Sequence, residues 1–389
     1  MRRSAELDGV SDKWRPLRIA MVGQKGLPAT YGGIEHHVEE IGSRLVNRGH
    51  EVTVFNRKSY GELPESPYLG MQVRSAPTVP SKHLDAIVHS LSSTVLALAK
   101  TCDVVHYHAL GPGLVAPLPR YASRSGVVLT VHGLDQERGK WGRGAQAILG
   151  VAHWMSARVP DETVVVSRSL LDHYQHEFGK AVRYVPNGAA EPKPVPPDAL
   201  AEFGLEPQRY VLFVGRLVPE KAPHVLLDAF RGLDSDFKLV LVGDSSFTDP
   251  YAEEVRRLAR QDPRVTLTGY VYGDQLDALY QHARLLVQPS VLEGLPLTVL
   301  ESIGHAVPII ASDIEPHQEL LADSGSGHEL FPVGDVDALR GTLRRALDAE
   351  MPPAIDLLRF RDSVLRQYDW EQTIDSLEQI YLRVAPPGG

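Results

Sequence analysis

Residues Arg18–Gly23 read Arg-Ile-Ala-Met-Val-Gly, and residues Tyr210–Gly215 read Tyr-Val-Leu-Phe-Val-Gly. Each is a short apolar run that ends in glycine, which is typical of a strand buried in a parallel sheet. After each run come a loop, a stretch of helical periodicity and a second apolar run, at 51–55 and at 238–243. In the first half the helical positions are Ile34, Val38, Ile41 and Leu45. Both halves of the chain therefore begin with a βαβ unit.

Further apolar runs predict strands at 103–107, 127–131, 163–166, 265–268, 285–288 and 308–311. Alternating strands and helices predict parallel sheets with helices on both faces. Residues 186–197 contain five prolines in twelve positions and predict a semi-rigid join. The predicted fold is α/β, with two Rossmann-like, doubly wound domains, 17–190 and 191–365, that face each other across a cleft. Ligands of such sheets bind at the carboxyl ends of the strands.

Two terminal segments, 1–16 and 366–389, lie outside the two predicted domains. Residues 1–16 are polar and lack an apolar core, so they predict a disordered leader rather than a signal peptide. Residues 366–389 contain a helix opened by Tyr368-Asp369-Trp370, and two interpretations stay open. The helix crosses back to the N-terminal domain, or it is an ordinary terminal helix.

Composition bears on the compartment and on partners. A single cysteine, Cys102, and the absence of an 18-residue apolar window predict a cytoplasmic protein. Residues 1–190 carry 22 lysines and arginines against 17 acids, whereas residues 191–389 carry 18 against 32. The basic half either contacts an anionic partner, such as lipid phosphate at the inner face of the membrane, or is simply solvated. No nucleic acid partner is expected.

Between Glu293 and Glu301 the chain reads Glu-Gly-Leu-Pro-Leu-Thr-Val-Leu-Glu. Pro296 suits the first helical turn, and the free N–H groups of that turn with the helix dipole form a seat for a diphosphate. At about 1.5 Å per residue the two carboxylates lie on the order of 10 Å apart. That distance matches a nucleotide sugar, with sugar hydroxyls at one end and ribose hydroxyls at the other. The alternative is a half-buried helix with two unremarkable acids.

Two cations follow the first strand of the second domain. Arg216 and Lys221 lie in a loop at the carboxyl end of that strand, where they could neutralise a diphosphate leaving group. The alternative is a solvated surface loop. In the first domain, Gly32 and Gly33 precede a helix and let a ligand approach the backbone. Neither the dinucleotide fingerprint nor the P-loop pattern matches.

Histidines and paired acids are the candidate metal ligands of this sequence. His132 ends a predicted buried strand, and His106 and His108 end another on one face. We interpret them as structural groups or as hydrogen-bonding groups on the acceptor side, because no cysteine or acid completes a ligand set. Asp234-Ser235-Asp236 precedes a strand, and Asp335 is a natural N-cap. We therefore predict no metal.

Taken together, the chain resembles a retaining glycosyltransferase of family 4 with the two-domain GT-B fold, over almost all of residues 17–385. The resemblance rests on five motifs in order: Gly32-Gly33-Ile34-Glu35, Thr130-Val131-His132-Gly133, Val185-Pro186-Asn187-Gly188, the stretch Val214–Lys221 and the Glu293/Glu301 motif. Residues 23–33 and 132–141 further resemble a bacterial branch of rhamnosyltransferase-like enzymes of surface polysaccharide synthesis. Pro296 and Ala222 depart from the family pattern, which has glycine at both positions in many members.

The resemblance implies a hexosyltransferase that uses a nucleoside-diphosphate sugar and needs no cofactor or metal. It implies catalytic roles for His132, Arg216, Lys221 and Glu293. The implied donor site comprises Gly32, Gly33, Gly215, Arg216, Lys221, Tyr270, Val271, Glu293, Gly294, Leu295, Leu297, Thr298 and Glu301. For a carbohydrate or lipid-linked acceptor the expected residues are His108, Arg138, Lys140 and Trp141, although the last three could equally form a solvated amphipathic stretch.

Two competing functions stay open at this stage. A nucleotide-sugar epimerase or phosphorylase would share the two-lobed architecture. A non-catalytic sensor would bind the nucleotide sugar without turnover, but the complete set of Arg216, Lys221, Glu293 and Glu301 argues against it. A dehydrogenase fits worst, because the dinucleotide loop is missing.

Overall fold

The computed structural model describes residues 15–30, 32–79, 85–134, 143–189, 192–245, 250–322, 324–325 and 327–387. The N-terminal sheet has seven parallel strands in the order β3-β2-β1-β4-β5-β6-β7, and the C-terminal sheet has six in the order β10-β9-β8-β11-β12-β13. The strands are β1 Arg18–Val22, β2 Glu51–Arg57, β3 Gln72–Ala76, β4 Val104–His108, β5 Gly126–Val131, β6 Glu162–Val165, β7 Arg183–Tyr184, β8 Tyr210–Val214, β9 Lys238–Val242, β10 Val265–Gly269, β11 Leu285–Gln288, β12 Ile309–Ser312 and β13 His328–Phe331.

Helices cover both faces of each sheet. They are α1 Gly33–Asn47, α2 Asp85–Ala99, α3 Leu110–Gly113, α4 Pro117–Ala122, α5 Arg143–Ser156, α6 Arg168–Phe178, α7 Pro223–Arg231, α8 Pro250–Ala259, α9 Gly273–Gln281, α10 Leu297–Gly304, α11 Glu315–Leu321, α12 Val336–Asp348, α13 Ala354–Gln367 and α14 Trp370–Val384. Short 3-10 turns cover Lys58–Tyr60, Pro197–Phe203 and Pro219–Lys221. The two doubly wound α/β domains of the predicted fold are confirmed.

The ten strands predicted from apolar runs are all present, and three more were missed. The missed strands are β3, β7 and β13, which are three of the four edges of the two sheets. Their sequences, Gln-Val-Arg-Ser-Ala, Arg-Tyr and His-Glu-Leu-Phe, mix polar and apolar residues because one side of an edge strand faces water. Central strands such as β8 are buried along their whole length, which is why they read as continuous apolar runs.

Helix α14 returns to the N-terminal domain. Five of its side chains share a hydrophobic core with β1, β2 and α1: Trp370, Ile374, Leu377, Ile380 and Tyr381. The hydroxyl of Tyr381 also lies 2.7 Å from Nδ1 of His106 on β4. The last helix of the chain therefore ties the C-terminal segment to the first domain.

Within the described residues, no helix has both the length and the apolar character that crossing a bilayer requires.

Candidate active site

The cleft between the domains lies at the carboxyl ends of both sheets. Its lining includes the residues that follow β1, β4 and β5 on one side and β8, β9 and β10 on the other: Gly23, Ala109, His132, Gly215, Gly243 and Tyr270. The volume is about 940 Å³, at the upper end of the range for small-molecule sites. The topology thus places the ligand site where the strand pattern predicts it.

Lys221 and Glu293 form an ion pair in this cleft. The Lys221 Nζ atom lies 2.5 Å from Oε1 of Glu293, and the two side chains are only 16% and 9% exposed. The hydroxyl of Ser290 donates to the same oxygen at 2.6 Å. Lys221 ends a 3-10 turn and Glu293 follows β11, so two neighbouring strands of the C-terminal sheet position the pair.

The pair fixes the charge state of Glu293. Burial alone would raise the pKa of this carboxyl, but the Lys221 ammonium and the hydrogen bonds outweigh it and leave the pKa below its ordinary value. Glu293 is therefore ionised at neutral pH. Because an ammonium group has three N–H donors, Lys221 can contact a phosphate while it holds Glu293.

Two helix N-termini meet across the cleft. Helix α1 begins at Gly33 and α10 at Leu297, and a methyl group added at Gly33 would lie 3.3 Å from Cδ1 of Leu297. Pro296 is the N-cap with an extended backbone (φ −77°, ψ 98°), one position earlier than its predicted place in the first turn. Both dipoles point their positive ends at the same space, which favours an anion there.

Thr298 adds a polar group to this seat. Thr298 lines the cleft, and its Oγ1 atom is buried without a hydrogen-bond partner among the described residues. An unpartnered buried hydroxyl is costly in a folded protein. Thr298 therefore has one polar atom at the start of α10 that no described residue satisfies.

Arg216 lines the cleft beside Lys221. Within the part of the chain that the structure describes, its guanidinium has neither a hydrogen bond nor an ion pair. The two cations predicted from sequence thus lie on the same wall as the amino end of α10, and Arg216 keeps its bidentate donors available.

Glu301 lies farther along α10. Its Oε2 atom accepts a hydrogen bond of 2.7 Å from the hydroxyl of Tyr280. Burial raises the pKa of Glu301, and the nearby His36 and the Tyr280 hydroxyl offset this only in part. Close by, Tyr270 and Tyr272 stack with ring centroids 6.2 Å apart, and both line the cleft. The part of the cleft near Glu301 therefore contains a carboxylate and a flat aromatic surface.

The N-terminal domain closes the cleft at His132. Gly294 packs directly on the backbone of this residue, so that a methyl group at Gly294 would collide with the His132 carbonyl oxygen. The close approach explains why glycine follows Glu293. Every predicted donor-site residue lines the same cleft.

The predicted acceptor residues differ from the donor-site residues in their placement. His108 is fully buried and absent from the cleft surface, with its ring behind His132. A direct acceptor contact by His108 is therefore wrong, because the last residue of the central strand β4 is covered on all sides. Arg138, Lys140 and Trp141 lie outside the described residues.

The structure adds cleft residues that sequence reasoning missed, among them Arg57, Tyr272 and Asn187. Arg57 at the end of β2 pairs with Asp85 at 2.9 Å and is 14% exposed. Its position at the carboxyl end of a strand was the available signal. Asp335 is the predicted N-cap: it caps α12 by accepting from the Ala338 N–H at 2.9 Å. Asp236 pairs with Arg209.

Two family models match the chain. The one described as "Glycosyltransferase Family 4" matches residues 31–190, and the one described as "Glycosyl transferases group 1" matches residues 208–349. The chain is 28% identical over 411 residues to D-inositol 3-phosphate glycosyltransferase of Acidothermus cellulolyticus, covering 95% of this chain and 90% of that protein. It is 25% identical over 399 residues to alpha-maltose-1-phosphate synthase of Mycolicibacterium smegmatis, covering 95% and 100%.

Solved structures agree on the fold. Sucrose-phosphate synthase from Thermosynechococcus elongatus has a TM-score of 0.80 at 22% identity and covers 94% of this chain and 98% of that one. Anabaena HepE in complex with UDP-glucose has a TM-score of 0.77 at 18% identity, with 94% and 99% covered.

Fold and comparisons together define a hexosyltransferase of the GT-B architecture, an enzyme that transfers sugar from a sugar nucleotide. Each half of the chain matches one of the two glycosyltransferase models, so the chain is similar to family 4 glycosyltransferases along most of its length.

Proposed function

We propose that this enzyme moves a hexosyl group from a nucleoside-diphosphate sugar to an acceptor hydroxyl with retention of anomeric configuration and without a divalent metal. The observation that carries the proposal is the convergence of Lys221, Arg216 and the amino end of α10 on one wall of the cleft. Fixed cations and helix N–H groups act on the diphosphate as it gains negative charge, which lowers the barrier to its departure.

The bonding changes follow from this placement. The bond between the anomeric carbon and the diphosphate oxygen breaks, and a bond from the acceptor oxygen forms on the same face. The acceptor proton passes to an oxygen of the departing diphosphate. Glu293, held ionised by Lys221, orients donor-sugar hydroxyls, while His132 faces the sugar from the opposite domain.

The remaining donor contacts are assigned by chemistry. Glu301 accepts hydrogen bonds from the ribose hydroxyls, and Tyr270 and Val271 pack against the base. Thr298 and the N–H groups at the start of α1 and α10 complete the diphosphate seat. The choice of base and sugar is left to experiment.

The acceptor enters on the side of the N-terminal domain. There the cleft is lined by apolar side chains of α2, α3 and α5, including Ile87, Pro112 and Ile148, with the Arg57 guanidinium beside them. This mixture suits a carbohydrate or lipid-linked acceptor of surface polysaccharide or glycolipid synthesis. We place the enzyme in the cytoplasm, peripheral to the inner face of the membrane.

A two-stage measurement tests the function. A thermal-shift screen over nucleoside-diphosphate sugars identifies the donor, because ligand binding to the native state raises the melting temperature. Purified enzyme with that donor and EDTA is then assayed for nucleoside diphosphate with and without a mixture of acceptor glycans and glycolipids. Release that depends on acceptor, with a product of unchanged anomeric configuration by NMR, is the expected result.

The competing functions give other results in the same assay. An epimerase converts the donor to an isomeric sugar nucleotide without acceptor, and a sensor raises the melting temperature without any turnover. Either outcome would refute transfer.

A further inference from the structure

Three histidines from three elements converge beneath the cleft: His37 on α1, His108 at the end of β4 and His132 just after β5. One ring nitrogen of each lies within 4.8 Å of the others. Only His132 reaches the cleft surface, next to Asn187. A fourth histidine, His106, is excluded because Tyr381 and Thr130 occupy both of its nitrogens at 2.7 Å.

His37 is held in one tautomer. Its Nδ1 atom lies 2.6 Å from Oδ1 of Asn187, an acceptor, so Nδ1 carries the proton. Its Nε2 atom then presents a lone pair, and this atom is buried with no partner among the described residues. A histidine oriented by an amide or carboxylate oxygen on its far nitrogen is the usual arrangement of a metal ligand.

The other two nitrogens have the spacing of a ligand pair. Nδ1 of His108 and Nε2 of His132 are 3.4 Å apart. Two ligands at about 2.1 Å from a tetrahedral ion have nearly this separation. The opposite nitrogen of His108 lies 3.3 Å from Sδ of Met21, a weak acceptor, which leaves the Nδ1 lone pair directed to the cluster.

We propose that His37, His108 and His132 bind one transition-metal ion of the zinc type, with a fourth coordination position open to the cleft. Three imidazoles favour Zn²⁺, Co²⁺ or Ni²⁺ over Mg²⁺, which prefers oxygen ligands. One consequence rests on the proposed function: an ion that engages Nε2 of His132 withdraws this side chain from the donor sugar and inhibits transfer.

A second cluster supplies a matched control. His153 on α5 lies near His173 and Glu177 on α6, with 2.8 Å between Nε2 of His173 and Oε2 of Glu177. None of these three residues belongs to the cleft lining. Removing one histidine from each cluster therefore distinguishes the two sites.

The binding test uses metal-free full-length protein without substrate. Co²⁺ is titrated and followed by its visible absorption, and Zn²⁺ is then added as competitor. We expect one intense tetrahedral-type spectrum per chain, and His37→Gln should weaken Co²⁺ binding by at least about 100-fold. His153→Gln should change it less than about 3-fold, since additive effects are expected for separate sites.

A second variant, His108→Gln, guards against misfolding of the first, and far-UV circular dichroism confirms that each is folded. Absence of the cobalt spectrum, or its loss in His153→Gln but not in His37→Gln, would overturn the proposed site.

The activity readout is separate. Zn²⁺ should inhibit transfer, EDTA should restore it, and Mg²⁺ should have no effect. Zn²⁺ binding without inhibition would refute the consequence for His132. Failure of the EDTA-treated enzyme to transfer from any donor would instead refute the proposed function, whereas the cobalt spectrum alone decides the metal site.

Discussion

At the residue scale, the ion pair of Lys221 and Glu293 sets the electrostatics of the cleft. Glu293 has little contact with water, and its charge is tolerated because an ammonium and two hydroxyl or amide donors surround it. Breaking such a pair leaves an uncompensated buried charge, which costs more than the pair contributes.

Lys221→Met therefore should destabilise the fold in a pH-dependent manner. In the wild type the pKa of Glu293 is lower in the native state than in the unfolded state, so its ionisation stabilises the native state at pH values above the ordinary carboxyl pKa. This stabilisation is lost as the pH falls through the pKa of the native state. In the variant the Lys221 contributions are lost, and burial, the largest effect, raises that pKa against the smaller effects of His317 and Ser290. The stability gap, about 3–5 kcal/mol at pH 8, should shrink towards pH 5.

Urea unfolding at several pH values measures this gap. The double variant Lys221→Met/Glu293→Gln is the control, because without the carboxylate the pH dependence should disappear. A gap that stays constant with pH would show that the pair does not control Glu293.

Thr298 allows a test of the seat at the start of α10. Thr298→Val removes the buried, unpartnered hydroxyl and should leave the melting temperature of the free protein unchanged or higher. It should weaken nucleoside diphosphate binding about 10-fold, since a hydrogen bond to a charged group contributes about 1.5–3 kcal/mol. Calorimetry with UDP, GDP and ADP measures the affinity, and Thr298→Ser should retain it. Equal affinity of the valine variant would exclude a phosphate contact.

At the element scale, the sequence predicts what is local. Ten strands, and the helices after Gly33 and near Pro296, follow from apolar runs, glycine and proline. Edge strands β3, β7 and β13 are not predicted, because their sequences mix polar and apolar residues.

Groupings across elements are harder to predict. His37 lies on a helix whose apolar face suggested only packing, and its meeting with His108 and His132 depends on how α1 sits on the sheet. No spacing in the sequence encodes that contact, and the burial of His108 follows from the same packing.

Helix α14 has its own test. Tyr381→Phe leaves Nδ1 of His106 without its 2.7 Å partner in a fully buried place. We expect a loss of about 1–3 kcal/mol in the free energy of unfolding. The exposed Tyr121, 74% accessible, provides the control Tyr121→Phe, which should be neutral. Equal stability of both variants would show that α14 does not depend on this bond.

At the scale of the whole molecule, charge and apolar surface are unevenly distributed. The first half of the chain is basic and the second acidic. Helices α2 and α5 of the first domain both contact α3 and expose Val95, Val151 and Trp154 by about half. If the proposed peripheral membrane association holds, this apolar face on the positively charged half of the chain is the contact surface.

Vesicle binding tests this surface. The enzyme should co-sediment with phosphatidylglycerol vesicles, and less so at high salt because screening weakens the attraction. Val95→Glu or Val151→Glu should each reduce binding about 10-fold through lost apolar burial and added repulsion. Ile355→Glu, at an equally exposed position of the second domain (54%), should have no effect. If Val95→Glu and Val151→Glu both bind vesicles as well as the wild type does, this surface is not the membrane contact.

The central claim is that two cations and a helix terminus bind the diphosphate without a divalent ion. Calorimetric titration of nucleoside diphosphate in EDTA tests it most directly, with wild type, Lys221→Met and the exposed control Lys180→Met. We predict tight binding by wild type and Lys180→Met, and binding weaker by at least about 30-fold for Lys221→Met, as expected for losing a charge-assisted contact. Affinity that appears only when Mg²⁺ is added, or that Lys221→Met leaves unchanged, would contradict the account.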